Sequence, residues 1–173
     1  APTGNFTSQN KIEELADELD SILVVDEAYI DFIDTQLASS IDLIHKHTNL
    51  VILRTLSKGY SLAGLRVGYG IGQEKLIHPM LTKTKDSYNL DQISQVLAVS
   101  ALKDQEYAKK SSALVKASRK KLQEQLEELG LHVAPSQANF LLVTIPAKSQ
   151  LAAEDLYKGL KAKKIFVRHF NMP

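Results

Sequence analysis

With 173 residues, 21 lysines and arginines, and 20 aspartates and glutamates, the chain can bury a real core. Its formal charge of +1 makes no electrostatic case for nucleic acid or for an anionic membrane. Cysteine is absent, which excludes disulfides and thiolate metal sites and fits a cytosolic protein, and no apolar run approaches the ~20 residues that cross a bilayer.

The chain opens on "APTG" without a methionine or a signal pattern and stops at "FNMP", so we expect part of a longer polypeptide. "NKIEELADEL" carries Ile12, Leu15, Ala16 and Leu19 at helical spacing, with Asn10 and Glu13 resembling a capping box. "ILVV" (22–25) reads as a strand covered on both faces and stops abruptly at Asp26. "SSIDLIHKH" predicts a second helix, and "LVIL" (50–53) a second buried strand followed within five residues by Lys58. Helix, strand, helix, strand with apolar strands means an α/β fold with a parallel sheet.

"RVGYGIG" predicts a third strand thinned by glycine. From Asp91 to Gly130 the pattern is almost entirely helical, with Gly130 at the expected cap. Val115, Leu122, Leu126 and Leu129 keep helical spacing there, and the lysines between them read as a solvated face. "LHVAPSQANFLLVTI" predicts two strands around a proline turn, "AAEDLYKGLKAKK" a helix, and "IFVRHF" a final strand. Two units are expected: residues 1–98, a sheet-bearing part, and residues 99–173, a connecting helix with a small α+β domain.

In open α/β sheets ligands collect outside the carboxyl ends of the strands. Asp26 ends one predicted strand, and Thr55, Ser57 and Lys58 follow another, so an acid and an amine share one sheet edge. A lysine beside apolar surface can attack a carbonyl, hydroxyls with the Arg66 fork suit a phosphate, and a carboxylate suits a protonated ring nitrogen. An aldehyde, a phosphate and a basic pyridine nitrogen together describe pyridoxal 5′-phosphate. Two other patterns carry less. Gly68, Gly70 and Gly72 do not have the spacing of a dinucleotide fingerprint, and His45 and His47 sit at a helix end, where cations offset the dipole without any metal.

"VVDEAYIDF" followed by "RTLSKGYSLAGLRVGYGIG" resembles the fold-type I pyridoxal-phosphate aminotransferases, and among them the histidinol-phosphate aminotransferases. "PTG", "SYNLDQISQ", "PSQANFLLV" and "VRHF" extend the likeness along the chain. The resemblance implies the second part of a large domain, mostly parallel sheet with helices on both faces, followed by a smaller C-terminal domain. It implies that Lys58 bonds the cofactor aldehyde and later shuttles a proton, Asp26 binds the ring nitrogen, and Tyr29 the phenolic oxygen. Ser57, Arg66 and Thr55 would hold the phosphate, and Asn139 and Arg168 would touch substrate.

The implied reaction is transamination of histidinol phosphate with 2-oxoglutarate, in a cytoplasmic homodimer of histidine biosynthesis. Its partners are a phosphorylated amine and a 2-oxo acid, with no nucleic acid, membrane or metal. The alternative readings are a threonine-phosphate decarboxylase or another amino-acid aminotransferase of the same fold and, from another class, a ligand-sensing aminotransferase-like domain of a transcription regulator. Position 1 is alanine where members of the group usually carry asparagine before "PTG".

Overall fold

The computed structural model describes residues 1–35 and 39–170. Helix α1 (Gln9–Glu18) is followed by strand β1 (Leu23–Asp26), and strand β2 (Leu50–Thr55) pairs with it in parallel, Leu23 opposite Leu50 and Asp26 opposite Leu53. Strand β3 (Gly68–Gly72) returns antiparallel along the other side of β2, with Thr55 opposite Gly68. The sheet is therefore mixed rather than wholly parallel, because the loop from 56 to 67 turns straight back without a crossover helix.

Ser8, not Asn10, caps α1, accepting from the Lys11 amide at 3.4 Å. At the other end of that helix the Asn49 amide donates to the carbonyls of Ala16 and Leu19, at 2.9 and 3.0 Å. Ile12, Leu43, Leu50 and Ile52 form one buried cluster, joined by Leu23, Val25 and Ile71, between the sheet and the elements over it. The predicted helix at 39–47 is a short 3₁₀ segment, Ile41–His45. The opposite face of β1 is open, with Val24 52% exposed, so the apolar run is covered on one side here.

A second buried cluster explains the loop after β2. Leu56, fully buried, packs with Val67 and with Ala98 of helix α3 (Gln92–Lys103), and Tyr60, Leu62 and Leu65 gather around them. Burying a leucine side chain contributes about 1.5–3 kcal/mol, so this loop is anchored by its apolar residues while its polar ones stay outside. Helix α2 (Glu74–Pro79) with a π turn (Met80–Thr84) joins β3 to α3.

Between 91 and 130 the chain makes two helices, α3 and α4 (Gln105–Glu128), broken at Asp104. That residue ends one helix and caps the next, its Oδ1 accepting from the Tyr107 amide at 3.0 Å. Gly130 closes α4 at φ +80°; its amide bonds Glu127 O at 2.9 Å and that of Leu131 bonds Leu126 O at 3.1 Å, a Schellman motif. The buried face of α4 differs from the predicted one: Ser112 and Arg119 are buried, whereas Leu122 and Leu129 are 49% and 77% exposed.

Strands β4 (His132–Val133) and β5 (Val143–Thr144) pair antiparallel, and helix α5 (Ala153–Ala162) follows. The expected strand at 165–170 is not one, since no neighbouring strand supplies its ladder among the described residues. Lys164, at φ 61°, ends α5 as Gly130 ends α4, with Ile165 N bonded to Leu160 O at 2.9 Å.

Candidate active site

Because β1 and β2 run in parallel, their carboxyl ends meet at one edge of the sheet, and Asp26 and Thr55 are their last residues. Asp26 is exposed, and its Oδ1 accepts from the Ala28 amide at 3.0 Å, which fixes the turn out of the strand. That turn delivers Tyr29 to the start of a single 3₁₀ turn, Ile30–Phe32. The Tyr29 ring meets the edge of Phe140 at 5.2 Å and 86°, and the Lys58 ammonium lies 5.5 Å from its centroid. Residues 29, 58 and 140 therefore converge from three separate segments.

The hydroxyls predicted for an anion form a pair. Thr55 Oγ1 and Ser57 Oγ are 3.0 Å apart, the Ser57 amide donates to Thr55 Oγ1 at 3.1 Å, and Thr55 donates to Val67 O at 3.3 Å. The last bond sets the Val67 carbonyl, one residue after Arg66, beside the hydroxyl pair. Arg66 is exposed, its guanidinium donates to Ala63 O at 2.9 Å, and its backbone sits at φ 56°. An L-residue in that region carries strain of order 1–3 kcal/mol, and such outliers gather at functional sites. Lys58 is half-buried, and the next residue, Gly59, is buried against the side chain of Asp31.

A cavity of about 340 Å³ takes in Asp26, Tyr29, Phe6, Gln137 and Phe140. Thr55, Ser57, Lys58 and Arg66 do not line it. Asn139 is exposed beside Phe140, whereas Arg168 is exposed with its guanidinium 5.1 Å over the Phe170 ring. Among the described residues Arg168 shares no hydrogen bond or ion pair with the group around Lys58.

Sequence reasoning missed the charges beneath this edge. Glu27, buried, accepts from Arg54 Nε at 2.8 Å, from the Ser40 amide at 2.6 Å and from Ser39 Oγ at 3.0 Å. A signal existed: the register that sets Asp26 opposite Leu53 also brings the next residues of both strands together. Asp31 was missed too. Burial pushes its carboxyl above the ordinary 3.8, Arg54 draws it down, and Glu27 pushes it up. Burial likewise raises the Tyr69 phenol, with Arg54 opposing.

The donor set fits pyridoxal phosphate: a carboxylate with one oxygen beyond its turn bond, an amine, a phenol, two hydroxyls and a guanidinium. The comparisons bear on the same chemistry. Residues 1–173 match the family model described as aminotransferase class I and II. The chain is 45% identical over all its residues to histidinol-phosphate aminotransferase 1 of Trichormus variabilis, covering 47% of that protein. It is 46% identical to histidinol-phosphate aminotransferase 1 of a Nostoc species, again over the whole chain and 47% of the relative. The chain thus spans about half the length of the curated relatives it matches. The solved histidinol-phosphate aminotransferase of Sinorhizobium meliloti, in complex with pyridoxal-5′-phosphate, superposes with a TM-score of 0.86. That match has 28% identity and covers 96% of this chain and 46% of the other. The enzyme from Clostridium acetobutylicum gives 0.85 and 28%, over 96% of this chain and 51% of that one.

Proposed function

The chain belongs to the aminotransferase class I and II family, and on that premise we propose that the intact protein is a histidinol-phosphate aminotransferase dependent on pyridoxal phosphate. The observation that carries the reading is the approach of Lys58 to Tyr29 at the sheet edge where Asp26 ends β1. The identity to two proteins of that name, at 45% and 46%, supports the substrate. The reaction is transfer of the amino group of histidinol phosphate to 2-oxoglutarate, in histidine biosynthesis.

When bound, the cofactor supplies an electron sink that lets the substrate's Cα give up its proton. Asp26, steadied by the Ala28 amide, accepts a hydrogen bond from the ring nitrogen and keeps it protonated. The Tyr29 hydroxyl donates to the phenolic oxygen. Thr55, Ser57 and Arg66 hold the phosphate, the guanidinium offering two parallel donors to a dianion. Lys58 would hold the cofactor at its aldehyde end. Its ε-amine would serve as the base that takes the substrate's Cα proton. Asn139 and Arg168 stay in the proposal as substrate contacts, with Asn139 beside the Tyr29–Phe140 pair.

The divisions 1–98 and 99–173 are proposed as the second part of the cofactor-binding domain and as the connecting helix with the small domain. We take the intact enzyme to be a cytoplasmic homodimer. Apolar residues of α3 left open here, Ile93 at 72% and Val96 at 62% exposed, are consistent with further protein covering them. No helix of the described residues is long and apolar enough to cross a membrane.

The test is to add pyridoxal phosphate to the full-length protein and record the visible absorption band of the lysine-bound cofactor. Lys58→Ala should abolish the band, and the parent should form glutamate from histidinol phosphate and 2-oxoglutarate. A band that survives the substitution overturns the lysine assignment. Carbon dioxide release from threonine phosphate, without amino transfer, overturns the reaction.

A further inference from the structure

One face of α4 is stitched to the loop that follows Tyr29. Ser112, Lys116 and Arg119, at spacings of four and three, lie on one side of that helix. Ser112 Oγ donates to Asp31 O, Lys116 Nζ to Ile33 O at 3.2 Å, and Arg119 Nη1 to Phe32 O at 3.0 Å. Lys116 thus departs from the solvated face expected of the lysines in this helix. Arg119 reaches further. Its Nη1 also donates to Ala138 O at 2.8 Å, and its Nη2 donates to Asp34 Oδ2 at 2.8 Å. The Arg119 side chain is 8% exposed and its bonds to the two carbonyls are buried, whereas Asp34 is 57% exposed, so losing a carbonyl bond is the change that leaves a buried group unpaired.

Both carbonyls belong to segments that carry the rings of the site. The amide of Phe32 bonds back to Tyr29 O at 3.1 Å, so clamping Phe32 clamps the turn that begins at Tyr29. Ala138 sits in the loop that ends at Phe140. Ser136 Oγ folds this loop, accepting from the Ala138 amide at 3.1 Å and donating to Phe140 O at 2.7 Å. Asp34 ties the two segments a second time, its amide donating to Gln137 Oε1 at 2.9 Å. The two segments meet where Phe140 presses edge-on to Tyr29, and Tyr29 in turn faces Lys58. A guanidinium is the one side chain whose planar fork can serve two carbonyls and a carboxylate together; an ammonium has no such fixed fork.

We propose that Arg119 is a positioning residue: by holding the carbonyls of Phe32 and Ala138 together it fixes the Tyr29 ring, and hence its hydroxyl, with respect to Lys58. Among the described residues Arg119 makes its hydrogen bonds and ion pair to Phe32, Ala138 and Asp34, none of them assigned to the cofactor. It acts through Tyr29, so the proton affinity of the lysine–cofactor linkage depends on a residue in the middle of α4. The inference rests on the reading of Lys58 and Tyr29 given under Proposed function.

The test uses the full-length protein loaded with pyridoxal phosphate and reads the pH midpoint of its visible band. The parent is compared with Tyr29→Phe, Arg119→Lys, Arg119→Met, and Tyr29→Phe combined with Arg119→Lys. Both Arg119 variants should move the midpoint in the same direction as Tyr29→Phe, by roughly half a pH unit or more, about a threefold change in proton affinity. The combined variant should match Tyr29→Phe alone, because the two residues act in series. If Arg119→Met does not fold, Arg119→Lys carries the comparison, since it keeps the charge and loses the fork.

Arg119 variants that melt earlier but keep the parent's midpoint overturn the inference, because a purely structural brace changes only the melting. Additive shifts in the combined variant overturn it as well, and so does a Tyr29→Phe midpoint equal to the parent's. A band missing from the parent, or one surviving Lys58→Ala, brings down the underlying reading and this inference with it. That outcome is distinct from a normal band whose midpoint ignores Arg119.

Discussion

Gly59 and Asp31 meet with no room for a methyl group between them: a Cβ at position 59 would overlap the Asp31 carboxylate. Gly59 directly follows Lys58, and the Asp31 carbonyl is held from behind by Ser112. The backbone on one side of Lys58 is therefore seated against a side chain that cannot easily retreat. Leu56, two residues before the lysine, seats the other side in the apolar cluster with α3.

Gly59→Ala in the full-length protein should cost about 1–3 kcal/mol, the usual penalty for overfilling a packed site. Asp31→Gly removes the whole side chain, including the Cβ that would lie 2.7 Å from the new methyl group, so in that background the same change should cost much less. Urea unfolding of the four proteins in this cycle measures the coupling. Costs that simply add would show that the two residues do not press on each other.

Asp31 also predicts a pH dependence. Its carboxyl is raised above the ordinary 3.8, first by burial, with Arg54 opposing and Glu27 reinforcing. The folded chain therefore keeps this proton to higher pH than the unfolded chain does. The resulting stabilisation is complete below the unfolded value and fades as pH rises through the folded one. Asp31→Asn keeps the shape and removes the titration. Relative to the parent, it should gain stability at pH 7 and lose that gain on acidification to about pH 3. Melting temperatures across the range test this, and a difference between the two proteins that ignores pH is the contrary result.

Arg54→Met strips the buried Glu27 carboxylate of its cation. Glu27 is 4% and Arg54 17% exposed at the side chain, so solvent does little to compensate. Breaking such a pair from one side costs about 3–5 kcal/mol. Adding Glu27→Gln to Arg54→Met should recover much of the loss, since no unpaired charge then stays buried. A loss below about 1 kcal/mol in the single variant, the range of exposed pairs, would mean that water reaches the carboxylate.

Much of the site was readable because two apolar runs stop sharply at polar residues, and parallel pairing carries those stops to one edge. Asp26, Thr55, Ser57 and Lys58 follow from that rule alone. Gly130 was readable because its helix signal is local. What escaped depends on distant chain. Ser112 and Arg119 look like the polar face of α4, yet they are its buried side because their partners are carbonyls of a loop some eighty residues earlier. "IFVRHF" has strand composition, but pairing with a neighbour makes a strand and composition does not. β3 carries side chains on one face only, with glycine at 68, 70 and 72, and nothing in its composition declares its direction.

The twist at Arg66 sets a limit on how robust this protein can become. Glycine would sit at φ 56° without penalty and would firm up the loop, whereas arginine is held there against its own preference. An engineer who follows thermal tolerance alone would replace arginine here, and would be left with a hardier protein that lacks the guanidinium proposed for the cofactor phosphate.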